Sequence, residues 1–177
     1  MDNKKELFEN LIKECEKVVV DCGYTLPDIN YSLNTRTQRA LGRCKIRIDR
    51  VTKEKSNIRI ELTESYFLAY ARTKQYDKIK NTILHEMCHA LPNGHNHGYE
   101  WQKYARVIGK ASGQNISRLV ENDEVISELK IKRTKYIIEC SDCGMKYTYA
   151  RRPKFANRLE SCNCSKCKSK RLIFKEI

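Results

Sequence analysis

Long apolar runs are missing from this chain of 177 residues. No stretch approaches the roughly 20 residues that cross a bilayer as a helix, so no membrane partner is expected. The N-terminus, Met1-Asp2-Asn3-Lys4-Lys5-Glu6, has neither the apolar run nor the small-residue cleavage site of a secretory signal. It leads instead into an amphipathic segment carrying Leu7, Phe8, Leu11, Ile12 and Cys15, and a cytoplasmic location is expected. Internal repeats and low-complexity tracts are absent. So is any helix-turn-helix or comparable base-reading element, which argues against sequence-specific reading of nucleic acid. Hydrophobic residues make up 40% of the chain and charged residues 32%, but the apolar positions recur periodically, as in a folded soluble protein rather than a disordered one. The length holds one domain, or one domain with a small appendage.

Histidine is scarce, and its placement is informative. All four histidines lie between His85 and His97, and the first two frame His85-Glu86-Met87-Cys88-His89. On a helix, residues four apart share a face, so His85 and His89 can present ring nitrogens to one metal. Glu86 can reach the side where a bound water would sit. Zinc acidifies such a water and the carboxylate takes its proton, which makes a nucleophile at neutral pH. Ile79, Ile83, Met87 and Ala90 mark an apolar stripe widened by Leu84 and Leu91, and Pro92 and Gly94 end the helix. A catalytic zinc needs a third protein ligand from beyond that turn. His95 has the spacing of H-E-x-x-H-x-x-G-x-x-H, but Pro92 stands where that motif has its glycine. His97 is followed by Gly98 and Trp101; Glu100 and Glu121 are the carboxylate alternatives.

Cysteine usage does not indicate a disulfide scaffold in a reducing compartment. Of nine cysteines, Cys15, Cys22, Cys44 and Cys88 are scattered and read as small buried hydrophobes. The other five form Cys140-x-x-Cys143 and Cys162-x-Cys164-x-x-Cys167. Cys140, Cys143, Cys164 and Cys167 match a four-cysteine structural zinc site, with Cys162 as a surplus thiol. A thioredoxin-like redox pair would need a βαβ setting that is absent. Tyr136-Ile137-Ile138-Glu139, Lys146-Tyr147-Thr148-Tyr149 and Leu172-Ile173-Phe174 read as strands around the knuckles, and Gly144 supplies a tight turn. So small a unit cannot bury enough core to stand without a metal.

The net charge of +13 is uneven: Lys130–Ile177 holds 14 basic and 4 acidic residues. Lys146, Tyr147, Tyr149, Arg151, Arg152, Lys154, Phe155 and Arg158 interleave cations with rings. Cations neutralise phosphates and exposed rings stack on unpaired bases, so single-stranded or mixed DNA is an expected partner, bound without sequence preference. A solvated basic surface is the alternative, and Thr148 between two tyrosines leaves one side of that strand free to be core.

The segment His85-Glu86-Met87-Cys88-His89-Ala90, followed by His97-Gly98 and an aromatic at Trp101, resembles the SprT-like metalloproteases. Gly113-Gln114-Asn115-Ile116-Ser117 is similar to a turn of that family, and Gly42-Arg43-Cys44 with Ile58-Arg59-Ile60-Glu61-Leu62 resembles its short sheet. Some bacterial members also carry a C-terminal four-cysteine ribbon, so the likeness spans residues 5–175. The resemblance implies a third zinc ligand at His97, with His95 outside the ligand set. It further implies an α+β, zincin-like fold and cleavage of proteins bound or crosslinked to DNA.

The expected order is a helix over 4–20, strands within 29–35 and 43–62, and helices over 64–71, 77–91 and 98–110. A linker over 120–134 then leads to the ribbon. In that linker Glu121-Asn122-Asp123-Glu124 gives way to Lys130-Ile131-Lys132-Arg133, a charge reversal that suggests a boundary between a SprT-like domain (1–130) and a zinc ribbon (131–177). The expected function is a zinc metalloendopeptidase with one catalytic and one structural zinc. Glu86 is its general base, and Tyr99 or Tyr104 is available to assist at the oxyanion. The alternatives are a non-catalytic nucleic-acid-binding zinc protein and a cytosolic peptidase with a dedicated protein partner.

Overall fold

The computed structural model describes residues 2–36, 40–49, 51, 55–119, 123–131 and 134–177. Asn122, Lys132 and Arg133 of the charge reversal, and Glu121, lie outside the described residues. The chain forms two compact units, Met1–Glu121 and Asn122–Ile177.

The first unit begins with α1 (Asp2–Asp21), whose Phe8, Leu11, Ile12, Cys15 and Val19 recur at helical spacing and are all buried. Three strands follow: β1 (Ile29–Asn34), β2 (Gly42–Ile48) and β3 (Lys55–Thr63). Their order is β1-β3-β2, with β1 parallel and β2 antiparallel to the central β3. Alternation along β3 buries Ile58, Ile60 and Leu62 on one face. On the other face Glu61 accepts from Lys45 Nζ and Asn34 Nδ2, both at 2.6 Å, which joins all three strands. Thr63 ties the end of β3 to the start of β2: its N–H donates to Leu41 O at 2.8 Å and its hydroxyl to Ala40 O at 2.5 Å.

The chain passes directly from β3 into α2 (Glu64–Arg72), then α3 (Tyr76–Ala90) and α4 (Tyr99–Ser112). α3 is the central element and packs on α1, α2, α4, β2 and β3. Its expected stripe of Ile79, Ile83, Leu84, Met87 and Ala90 is buried, as is Cys88. Cβ-less Gly113 takes the left-handed conformation, φ +67°, and ends α4.

The second unit starts with α5 (Glu124–Ile131), a helix inside what the sequence marks as linker. The acidic run is its N-terminal signal: Asp123 Oδ1 accepts the Ile126 N–H at 2.9 Å, and Glu124 sits in the first turn. Val125 and Ile126 are buried; the compact units meet at Glu121/Asn122, where the sequence suggests a boundary at 130/131. Strands β4 (Tyr136–Cys140), β5 (Lys146–Tyr149) and β6 (Leu172–Glu176) form an antiparallel sheet ordered β5-β4-β6. Cross-strand register puts Tyr136, Ile138, Tyr147, Tyr149 and Phe174 on one face. A short 3₁₀ segment, Lys154–Ser161, packs on β6. Between residues 134 and 177 only Ile138, Cys140 and Cys164 are buried, too little apolar area to hold this unit unaided. Among the described residues no helix is long and apolar enough to cross a membrane.

Ile83 is fully buried at the centre of the first unit. Ile83→Ala is expected to cost about 2–5 kcal/mol, read from urea unfolding of the folded chain. A loss under about 1 kcal/mol would contradict the central position of α3.

Candidate metal centre

His85 and His89 project from one face of α3, and the turn after it returns the chain to them. Leu91 closes the helix, with its N–H on Met87 O at 3.2 Å. Lys55 Nζ donates to the carbonyls of His89, Ala90 and Leu91 at 3.2, 3.3 and 2.5 Å, and Leu91 O also accepts the Gly94 N–H at 3.0 Å, so the carbonyls at the helix end have partners. Only glycine fits at Gly94: a Cβ there would stand 2.0 Å from Cys88 O. Tyr104 donates to Pro92 O at 3.0 Å, Asn96 Oδ1 accepts the Gly98 N–H at 2.9 Å, and Gln102 donates to His97 O at 3.1 Å. These bonds set the proline-containing turn so that His97 reaches the other two rings.

The donor nitrogens of His85, His89 and His97 lie within 4.8 Å of one another, and the Nε2 atoms of His85 and His97 are 3.1 Å apart. Two nitrogens at the usual zinc distance in a tetrahedron stand about 3.3 Å apart. The tautomers also follow. His85 Nδ1 sits 3.1 Å from Ser117 O and His89 Nδ1 2.8 Å from Gly94 O. A carbonyl only accepts, so both Nδ1 atoms carry the proton and both Nε2 lone pairs are free for a metal. Burial, reinforced by His89 and His97, lowers His85 to about 4; burial also lowers His89 and His97. Neutral imidazole is the ligating form. Trp101 lies behind all three rings, its centroid 4.9, 5.6 and 4.5 Å from those of His85, His89 and His97. The donor set fits zinc.

Glu86 is buried against β2. The Cys44 backbone N–H donates to its carboxylate, and burial pushes the carboxyl up to about 7 against the pull of that N–H and of Arg43. Gly42 makes this approach possible: a Cβ on it would lie 2.9 Å from Thr82 Cγ2 and 3.0 Å from Glu86 Cγ and Oε1. His95 is exposed, near Asn96, and neither it nor Glu100 joins the three-histidine group; Glu121 lies outside the described residues. Tyr99 is 80% exposed and the Tyr104 hydroxyl already serves Pro92.

In the second unit the sulfurs of Cys140, Cys143, Cys164 and Cys167 also lie within 4.8 Å of one another. Cys140 and Cys167 Sγ are 3.5 Å apart, and Cys143 and Cys164 Sγ 3.6 Å, near the roughly 3.8 Å edge of a tetrahedral zinc–thiolate site. The two knuckles are alike. Gly144 N–H returns to Cys140 O and Lys168 N–H to Cys164 O, both at 2.9 Å, and both residues take positive φ, +67° and +62°. Cys162 stands aside, its thiol donating to Arg158 O at 3.5 Å.

Of the residues expected at nucleic acid, Arg151, Lys154 and Arg158 are exposed, and Lys146 is exposed while paired with Glu139 at 3.7 Å. Arg152 lies 4.9 Å over the Phe174 ring and donates to Asn157 Oδ1 at 2.8 Å. Tyr149 is half-buried, edge-on to Phe155 at 6.0 Å, and Tyr147 is half-buried with its hydroxyl 3.3 Å from Cys164 Sγ. Sequence reading did not find the roles of Ser117 and Lys55, which act through or upon backbone carbonyls and leave no side-chain motif. Gly42 and Trp101 were visible only as parts of a resemblance.

Comparison with known families matches the chain to the SprT-like family over residues 5–121, which includes His85, Glu86, His89 and His97 and stops before the ribbon. No curated protein matches the chain. The match covers well over half of the sequence and the whole three-histidine group, and the chain belongs to the SprT-like family.

Proposed function

We propose that the chain is a cytoplasmic zinc metalloendopeptidase, with a zincin-like catalytic domain and a zinc ribbon, acting on proteins bound or crosslinked to DNA. The observation that carries the reading is the pairing of three converging neutral imidazoles with a buried carboxylate on the helix that supplies two of them. His85, His89 and His97 would hold one zinc through their ring nitrogens, and Cys140, Cys143, Cys164 and Cys167 a second, structural one. Bound at the histidines, zinc supplies Lewis acidity, polarising a peptide carbonyl and acidifying water. Glu86 takes a proton from the attacking water and returns it to the leaving nitrogen, and a carboxyl raised to about 7 suits both transfers near neutral pH. The Cys44 N–H and Gly42 hold that carboxylate in place. Among the described residues no fourth side chain joins the histidines, which favours an open catalytic position over a closed structural one.

The DNA part rests on family membership and on the basic second unit, where Lys146, Arg151, Lys154 and Arg158 offer phosphate contacts and Arg152 and Tyr149 border them.

Glu86→Gln is expected to keep zinc content and fold while lowering cleavage of a DNA-bound protein by at least about 10²-fold. Undiminished cleavage would rule the mechanism out. Gly42→Ala is expected to keep zinc stoichiometry but lower kcat by about 10²-fold, because the added methyl displaces the carboxylate. An unchanged kcat would show that the close approach has no catalytic role. Binding to single-stranded DNA is expected to weaken with salt, and replacing Arg151, Lys154 and Arg158 together by Ala to flatten the log–log slope by about 2. Cleavage with no DNA dependence and an unchanged slope would favour a peptidase with a dedicated protein partner.

A further inference from the structure

We propose that Tyr147 is a positioning residue of the four-cysteine site, donating its hydroxyl proton to the Cys164 sulfur when that sulfur is a metal-bound thiolate, and is not a platform for stacked bases. The inference rests on the structural-zinc reading of the ribbon.

Valence decides the direction of the bond. A phenol has one proton to give and two lone pairs to accept with. Three groups surround the Tyr147 hydroxyl: the Ser165 N–H, which donates to it at 2.9 Å, Ser165 Oγ at 2.8 Å, and Cys164 Sγ at 3.3 Å. The backbone N–H occupies one lone pair. A thiolate has no proton, so with metal bound the sulfur can only accept and the Tyr147 proton must go to it. The Ser165 hydroxyl then fills the second lone pair, and every donor and acceptor is matched. A protonated Cys164 reverses the relay: the thiol donates to the tyrosine oxygen and Tyr147 donates to Ser165 Oγ. The hydroxyl network is therefore compatible with both states and complete in each.

The surroundings single out this sulfur. Cys164 is completely buried, as is Cys140, whereas Cys167 of the same knuckle is exposed; of the four sulfurs it is that of Cys164 that has the Tyr147 hydroxyl beside it. Backbone N–H groups of Lys166 and Cys167 also point at the Cys164 sulfur. Hydrogen bonds to a thiolate draw charge off it and hold its orientation, and outer partners of this kind typically contribute 10–100-fold to metal affinity. Tyr147 comes from β5 and Cys164 from the second knuckle, so the bond also joins the two halves of the site. The ring lies on the sheet face that carries Ile138 and Phe174, and is half-buried there, which leaves it poorly placed for an incoming base.

The test uses the whole 177-residue chain with cobalt(II) in place of zinc. Thiolate-to-cobalt charge-transfer absorption arises only at a cysteine site, so the histidine site does not obscure it. Tyr147→Phe is expected to shift that absorption to lower energy, because the sulfur lone pairs lose a stabilising proton. It is also expected to speed decay of the band under EDTA by about 10–100-fold, with affinity for single-stranded DNA unchanged within about twofold. Tyr149→Phe, on the same strand and face, is expected to leave band and decay as in the parent. Ser165→Ala keeps the phenol and removes one anchor of its hydroxyl, and is expected to speed decay by a smaller factor; this variant also decides the matter if Tyr147→Phe does not fold. Parental band and decay in Tyr147→Phe would overturn the proposal; Tyr147→Leu removes the ring as well, and a fall of more than about tenfold in DNA affinity of its cobalt-loaded form would restore the stacking role. Absence of any thiolate band from the parent protein would instead overturn the ribbon's metal reading.

Discussion

Two hydrogen bonds from imidazole to backbone, His85 Nδ1 to Ser117 O and His89 Nδ1 to Gly94 O, decide what the first unit can do chemically. Each carbonyl fixes a proton on the far side of its ring and turns the Nε2 lone pair inward, so the tautomer is settled before any ion arrives. Much of the nearby architecture serves to place those two oxygens. The turn after α4 carries Ser117, and Asn81 on α3 holds it by donating to Asn115 O at 3.0 Å and Gln114 Oε1 at 3.2 Å. Gly94 reaches His89 because the absence of a Cβ lets it lie against Cys88 O, and Lys55 secures the helix end that the turn leaves. Trp101 fills the space behind the rings, where a smaller residue would let them rotate.

Part of this geometry is legible in the residues. Spacing alone put His85, Glu86 and His89 on one helical face, and apolar periodicity placed α3 within a residue of its observed ends. It left the third donor open between His95 and His97, because they stand two positions apart in one turn and side-chain direction in a turn depends on hydrogen bonds that spacing does not encode. The bonds from Asn96, Gln102 and Tyr104 bring His97 inward and leave His95 in solvent. Helix α5 went unseen because its charge reversal looks like a linker, although acid at the start of a helix is also a capping signal. The role of Gly42 is a matter of distance to Glu86, which no local pattern reveals.

The two candidate metal sites call on the fold differently. The histidine group sits in a unit with a substantial apolar core around α3. The cysteine group sits where Ile138 is nearly all the core there is, and the ion would hold the knuckles together. An interleaved run of cations and aromatics is thus an ambiguous signal in a small ribbon. The rings of Tyr147, Tyr149 and Phe174 are needed for the protein's own packing, while Arg151, Lys154 and Arg158 are left outward.

Imidazole nitrogen resonances of the 177-residue chain, followed through zinc addition by long-range ¹H–¹⁵N correlation, test the central claim most directly. Before zinc, His85 and His89 are expected to show protonated Nδ1 and bare Nε2; on loading, the Nε2 signals of His85, His89 and His97 shift while His95 stays put. Ligation through Nδ1 of His85 or His89, or a shift at His95 in place of His97, would contradict the account.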